Sequence, residues 1–239
     1  VAPDNGPVTA VRSFPTARGW TILIPVKATS RGKSRLAVPD RLRPPLALAM
    51  AMDTASAAAR CGRVLALVQS PADGRALSSI AGVDVRLSAA VGLNGAIVDG
   101  AKVVAESGVF DVTPWLAVLP GDLPGLDSVE FAAVLRQCER YPFAAVADHL
   151  GVGTTLLAAT EVGALQPCYG PDSFQRHRRA GAIPIDLPTG STLRWDVDTV
   201  DDLAVAPGPR TSAVLQDITA GRDRSPGAGV TVEGCTEDS

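Results

Sequence analysis

The stretch "WTILIPVKATSRGKSRL", residues 20–36, decides how the rest of the chain is read. Trp20 to Val26 is a short apolar run, the length of a buried strand. Gly32-Lys33-Ser34 follows, and a strand running into Gly-Lys-Ser suggests the phosphate cradle of a P-loop. That cradle requires a glycine five residues before the second one, and the residue there is Lys27. A P-loop wraps phosphate with backbone N–H groups, whereas this loop carries Lys27, Arg31, Lys33 and Arg35 within nine positions. It reads as a cationic loop at the carboxyl end of a strand, holding a polyanion such as a triphosphate by side-chain charge. The bland alternative is a solvated surface loop.

Beyond it the pattern alternates. "DRLRPPLALAMAMDTASAAARC" (40–61) has prolines suited to a first helical turn and then strong helix formers. "RVLALVQ" (63–69) is a second buried strand, "DGRALSSI" (73–80) a short helix and "VDVRL" (83–87) a third strand. "LNGAIVDGAKVVAES" (93–107) is helical in its apolar spacing. "WLAVLPGD" (115–122) is a strand running into a turn. "DSVEFAAVLRQCER" (127–140) is a helix with Asp127 or Ser128 as its cap. "FAAVADH" (143–149), "TTLLAAT" (154–160), "IPIDLP" (183–188) and "LRWDVD" (193–198) are further strand candidates. "PDSFQRHRRAGA" (171–182) and "TVDDLAVA" (199–206) are helices. Strands alternating with helices imply an α/β fold with a largely parallel sheet. Residues 1–19 read as a flexible arm, 20–206 as one domain, and 207–239 as a polar, poorly ordered tail with at most a short helix.

Composition narrows the function. With 46% apolar and 20% charged residues the 239-residue chain is an ordinary globular protein. Aromatics supply only 4%, so the core must rest on Ala, Val, Leu and Ile. A net charge of −3 argues against a general nucleic-acid binder. No run reaches the length of a membrane span, and the N-terminus lacks the apolar segment of a signal peptide, so a cytoplasmic protein is expected. Four cysteines without paired spacing, and two histidines, make a zinc site or a disulfide framework a poor fit.

In parallel sheets ligands bind beyond the carboxyl ends of the strands, and several suggestive residues fall there. Asp122 sits at the tip of the "LPGDLPG" turn, suited to magnesium, which takes one or two carboxylates plus phosphate oxygens. On a strand, Asp196 and Asp198 of "WDVD" would share one face, where their repulsion invites a cation. The alternative is that Asp198 or Thr199 caps the following helix. "GVGTT" (151–155) and "GPDS" (170–173) are turns that could meet an anion with backbone N–H groups, or be ordinary turns. In "GLNGA" (92–96), Asn94 could cap a helix or reach a ribose or base.

Taken together, "IPVKATSRGKSRLA", "GLNGAI", "VLPGDLPGL", "GVGTTLL", "YGPDSFQRHRRAGA" and "RWDVDTVDDL" resemble, in this order, the 2-phospho-L-lactate guanylyltransferase family, whose actinobacterial branch is the phosphoenolpyruvate guanylyltransferase of coenzyme F-420 biosynthesis. The resemblance spans about residues 20–206. It implies a single nucleotidyltransferase domain, GT-A-like and Rossmann-like, with a largely parallel mixed sheet and helices on both faces. It implies GTP attacked at its α-phosphorus by the phosphate of a small acid, phosphoenolpyruvate or 2-phospho-L-lactate, with loss of pyrophosphate. Asp122, Asp196 and Asp198 would hold Mg2+. Thr155, Gly170 and Ser173 would contact the acceptor. Lys27, Lys33 and Arg35 would face the triphosphate and, with Asp122, form the catalytic set. Gly92 and Asn94 would lie near the nucleoside. An anionic phosphate needs no general base, which suits a chain with two histidines. No membrane or nucleic-acid partner is implied, and a homodimer is among the assemblies left open. The competing readings are a nucleotidyltransferase of the molybdopterin or sugar-phosphate type, and a catalytically silent nucleotide-binding module, which would not need the acidic triad.

Overall fold

Trp20–Val26 forms β1, and every residue of it is buried. In the computed structural model, which describes residues 19–27, 36, 38–106, 115–205 and 207–219, β1 is flanked on both sides by parallel neighbours. These are β2 (Arg63–Val68) and β4 (Trp115–Val118), with Leu23 level with Leu65 on one side and Val118 on the other. A central strand with both faces covered has no solvent side, hence the unbroken apolar run.

Among the described residues the sheet has seven strands in the order β3-β2-β1-β4-β6-β5-β7, adding β3 (Val83–Leu87), β5 (Phe143–Ala147), β6 (Thr154–Ala159) and β7 (Ile183–Pro184). β6 pairs antiparallel with both β4 and β5, while the other pairs are parallel. Only β6 runs against the rest, so the sheet is mixed and largely parallel. Its amino end therefore reaches the same edge of the sheet as the carboxyl ends of β1, β4 and β5.

Side-chain alternation in β1 separates two cores. Ile22, Ile24 and Val26 pack with Ala51, Ala55 and Ala58 of α1 (Arg43–Ala58), Leu77 of α2 (Pro71–Ser78) and Phe131, Val134 and Leu135 of α4 (Ser128–Cys138). Leu23 packs on the other face with Ile97 and Val104 of α3 (Gly92–Glu106) and Phe174 of α5 (Ser173–Arg179). Helices thus cover both faces. Small alanines let α1 lie close on the sheet. Asp127 caps α4 by accepting from the Val129 and Glu130 amides at 2.8 Å each. No helix among the described residues is long and apolar enough to cross a membrane.

Two expectations need correcting. Residues 193–198 are not a strand: Thr192–Arg194 is a 3-10 turn, and the segment then crosses the end of the sheet toward α6 (Val200–Val205). No strand edge is open to it there, because β4 already lies between β1 and β6. One bond that anchors it runs from the Val197 N–H to the Asp122 carbonyl at 2.9 Å.

The second correction concerns the start of the tail. Pro209–Thr219 forms α7, docked into the domain against α1. Buried Asp53 of α1 accepts from the Arg210 amide (3.1 Å), the Thr211 amide (2.8 Å) and the Thr211 hydroxyl (2.8 Å), so a side chain from one helix caps another. Gly208 allows the approach, since a β-carbon there would lie 2.3 Å from the Pro124 carbonyl oxygen. Residues 1–18 and 220–239 lie outside the described residues.

Candidate active site

A cleft of about 850 Å³ opens at the carboxyl edge of the sheet, where β1, β4 and β5 end and β6 begins. Lys27, the first residue past β1, is exposed on its wall. Lys33 and Arg35 lie outside the described residues.

The opposite wall is acidic. Asp122 is set by a turn that the core holds from behind: the Thr54 hydroxyl of α1 accepts from the Leu123 amide at 3.1 Å and donates to the Met50 carbonyl at 2.9 Å. The Asp122 carbonyl holds Val197, which brings Asp196 and Asp198 to the same cleft. Asp148, at the end of β5, completes the set. Burial, then the charges of Asp122, Asp198 and Asp148, push the Asp196 carboxyl up to about 7. His149 stacks flat on Trp195 at 4.3 Å, with its Nδ1 3.8 Å from Asp196 Oδ1.

Asp198 is exposed at the lip. The helix that follows is capped by Thr199, whose hydroxyl oxygen accepts from the Asp202 amide at 3.4 Å, while its hydroxyl and amide donate back to the Asp202 carboxylate at 2.9 and 2.7 Å. The capping alternative is therefore right for Thr199, and Asp198 lines the cleft. Mutually repelling carboxylates around a cleft are a donor set that suits a hard divalent cation. Among the described residues no three His, Cys, Asp or Glu side chains already stand as a ligand cluster. A cation that takes only one or two carboxylates and fills its shell with phosphate oxygens and water would not need such a cluster.

The remaining wall comes from β6 and the turn before α5. Asp148 folds the β5–β6 turn around itself, accepting from the Val152 and Gly153 amides at 2.9 and 2.7 Å. Arg194 fastens that turn by donating to the Asp148 carbonyl (2.9 Å from Nη2) and the Leu187 carbonyl (3.2 Å). Pairing passes from Val146–Leu156 to Ala147–Thr154, so Thr155 is the extra residue of a β-bulge. The bulge changes which side chain is presented. Thr154 lines the cleft, whereas Thr155, expected to contact the acceptor, is buried and does not line it, with no partner for its hydroxyl among the described residues.

Gly170 and Ser173 do line the cleft. The Ser173 hydroxyl donates to Thr154 Oγ1 at 3.2 Å, and Thr154 Oγ1 is 2.9 Å from His177 Nδ1. His177 Nε2 accepts from the Cys168 amide at 2.8 Å. That bond fixes the neutral tautomer with the proton on Nδ1, donated to Thr154. Burial, then the nearby Arg176 charge, pull the His177 ring down to about 4.

Asn94 differs most from expectation. Its amide donates to the Tyr169 carbonyl at 3.0 Å and its oxygen accepts from the Tyr169 amide at 2.8 Å. It clamps the backbone of the 168–173 wall, and neither it nor Gly92 lines the cleft; their neighbour Leu93 does. Sequence reasoning missed Asp148, Tyr169, His177 and Arg194, while Thr154 belongs to the "GVGTT" turn it singled out. One signal was available: Asp148 ends a strand before a glycine-rich turn, as Asp122 does.

No protein-family model matches the chain. It is 42% identical to the phosphoenolpyruvate guanylyltransferase of Streptomyces coelicolor over 204 residues, 82% of this chain and 95% of that one. It is 41% identical to the protein of the same name from Streptomyces scabiei, covering 81% and 94%. In fold it is similar to a crystal structure from Desulfovibrio desulfuricans G20, assigned as a nucleotide-diphospho-sugar transferase, with a TM-score of 0.61 at 19% identity over 84% of this chain and 95% of that one. An identity above two fifths across nearly the full length of a relative, on a nucleotidyltransferase-like fold, shows that the chain belongs to the phosphoenolpyruvate guanylyltransferase family.

Proposed function

We propose that this chain transfers a guanylyl group from GTP to the phosphate of a small phosphorylated acid, phosphoenolpyruvate first and 2-phospho-L-lactate next, in the cytoplasm, as a step of coenzyme F-420 biosynthesis. The observation that carries this reading is the joining of Lys27, the acidic wall and the Gly170–Ser173 turn in one cleft, in a chain of that family. One phosphorylated substrate meets cationic side chains and the other meets hydroxyls and backbone. Their in-line placement supplies most of what phosphoryl-type transfer asks of a protein.

A phosphate oxygen of the acceptor attacks the α-phosphorus of GTP. The bond to the bridging oxygen breaks, and pyrophosphate leaves with that electron pair. The nucleophile is already an anion near neutral pH, so no side chain has to remove a proton. Lys27 stabilises charge on the triphosphate. Ser173 and Thr154 orient the acceptor, and the Asp148 turn keeps the wall rigid. Asp122 and Asp196, with Asp198 at the lip, would hold Mg2+, which when bound neutralises phosphate charge.

The test is pyrophosphate release with each of the four nucleoside triphosphates against phosphoenolpyruvate, 2-phospho-L-lactate and 3-phosphoglycerate, with and without Mg2+. GTP with phosphoenolpyruvate should be fastest, and Asp122→Ala should abolish turnover in a folded protein. Release from no pair would reject the reading, and a different preferred base or acceptor would reassign it.

A further inference from the structure

Tyr169 is held more firmly than a surface turn requires. Asn94 fixes both polar groups of its backbone, its ring meets His177 edge-on at 4.9 Å, and its body packs against the core on the α3 and α5 face. The residue lines the cleft, yet its hydroxyl is shielded from water and has no hydrogen-bond partner among the described residues. Leaving a buried hydroxyl unpaired is costly, and native proteins rarely do it without a role for the group. Asp122, across the cleft, is near enough to act on the phenol. A phenol keeps its proton near neutral pH, and burial favours that neutral form further. The group is thus a fixed neutral donor with nothing to donate to among the described residues, next to Gly170 and four residues before Ser173.

We propose that the Tyr169 hydroxyl donates a hydrogen bond to an anionic oxygen, phosphate or carboxylate, of the acceptor bound against Gly170 and Ser173, and so helps to set acceptor specificity. This rests on the function proposed above. A neutral donor beside Asp122 suits the place better than a cation would. It satisfies an incoming anion without forming an ion pair with the acidic wall that would have to be broken on each turnover. Asn94 then acts as a positioning residue for it, through the Tyr169 backbone.

The test is Tyr169→Phe, which removes one oxygen and leaves the ring. Because that oxygen has no partner among the described residues, the variant without ligand should be as resistant to urea as the parent, or more so. Its KM for the acceptor, and its affinity for phosphoenolpyruvate measured directly by calorimetry, should weaken about 10- to 100-fold, the range for a hydrogen bond to a charged group. Its KM for GTP should stay within about twofold of the parent value, a difference too small to count as a lost contact. A parent that binds phosphoenolpyruvate and a variant that binds it equally well would overturn the inference and leave the proposed function standing. A change confined to GTP would also overturn it. A parent that neither binds nor turns over any phosphorylated three-carbon acid would overturn the proposed function, and this inference with it.

Discussion

Acid should loosen this protein through His177. The ring is fully buried, accepts from the Cys168 amide through Nε2 and donates from Nδ1 to Thr154. Protonation would place a second N–H against the Cys168 N–H, and a charge in a site where, among the described residues, Arg176 and no acid acts on the ring. The folded pKa is about 4 against an ordinary 6.5. A depressed pKa means that the unfolded chain binds the proton first, so stability rises with pH across this window. The contribution is complete above about pH 6.5 and is lost as pH falls toward 4. With each pKa unit equal to about 1.4 kcal/mol, it decreases by about 2 kcal/mol between pH 7 and pH 5 and by about 3 by pH 4. Other groups titrate here too, so the quantity to measure is a difference. Urea unfolding of the parent and of His177→Gln at half-unit pH steps isolates it. The parent's advantage should shrink by about 2 kcal/mol from pH 7 to pH 5, roughly 1 M in midpoint for an m-value near 2 kcal/mol/M. An advantage that stays flat, or grows, as pH falls would refute the assigned tautomer and the neutral ring.

Three further outcomes follow from the same geometry. Asp53→Ala removes the acceptor for two amides and a hydroxyl at the start of α7; it should cost about 2–4 kcal/mol in chemical denaturation and speed hydrogen exchange in α7 before the rest, and a change under about 0.5 kcal/mol would mean that α7 is held by other contacts. Asn94→Ala should raise KM for the acceptor and leave KM for GTP unchanged, whereas a rise for GTP alone would restore the nucleoside assignment. Gly153→Ala places a β-carbon 2.5 Å from Asp148 Oδ2, so turnover should fall at least tenfold, an activation cost of about 1.4 kcal/mol, in a protein that still melts cooperatively; parental activity would show that the Asp148 turn can shift at no cost to the chemistry.

What was legible in the sequence is what local chemistry determines. β1 announced itself because a central parallel strand must be apolar on both faces, and α4 because Asp127 can satisfy free amides only at a helix start. The acidic wall was legible in part: Asp122 needs only its own turn. The "WDVD" segment was assigned a strand because alternation is blind to whether a neighbouring edge is open. Asp196 and Asp198 still reach the cleft, through the Val197 to Asp122 backbone bond, which no periodicity reports. The unread parts share one physical cause, contacts between residues far apart in the chain. Asp53 caps a helix more than 150 residues away, and Asn94 binds a backbone 75 residues on. Asp53 looks locally like a helical polar residue of no consequence, and Asn94 like a cap or a nucleoside contact.

The reversal of β6 explains why so much of the site depends on such contacts. Had β6 run with its neighbours, its amino end would lie at the far edge of the sheet. Asp148 and Thr154 could not then share one cleft, since Asp148 follows the carboxyl end of β5. Antiparallel pairing brings the two together across a short turn, and the bulge at Thr155 sets which hydroxyl meets His177. A turn that tight requires Gly153, a buried carboxylate to collect its amides, and Arg194 to tie it to the acidic segment. Asp148 therefore serves two walls at once. Its oxygens fold the β5–β6 turn, and its charge helps to hold Asp196 near 7. A site assembled this way links the shape of its hydroxyl-lined wall to the charge of its acidic one. Substitution of Asp148 should accordingly disturb both substrates' KM values, unlike Tyr169→Phe or Asn94→Ala, which act on the acceptor alone.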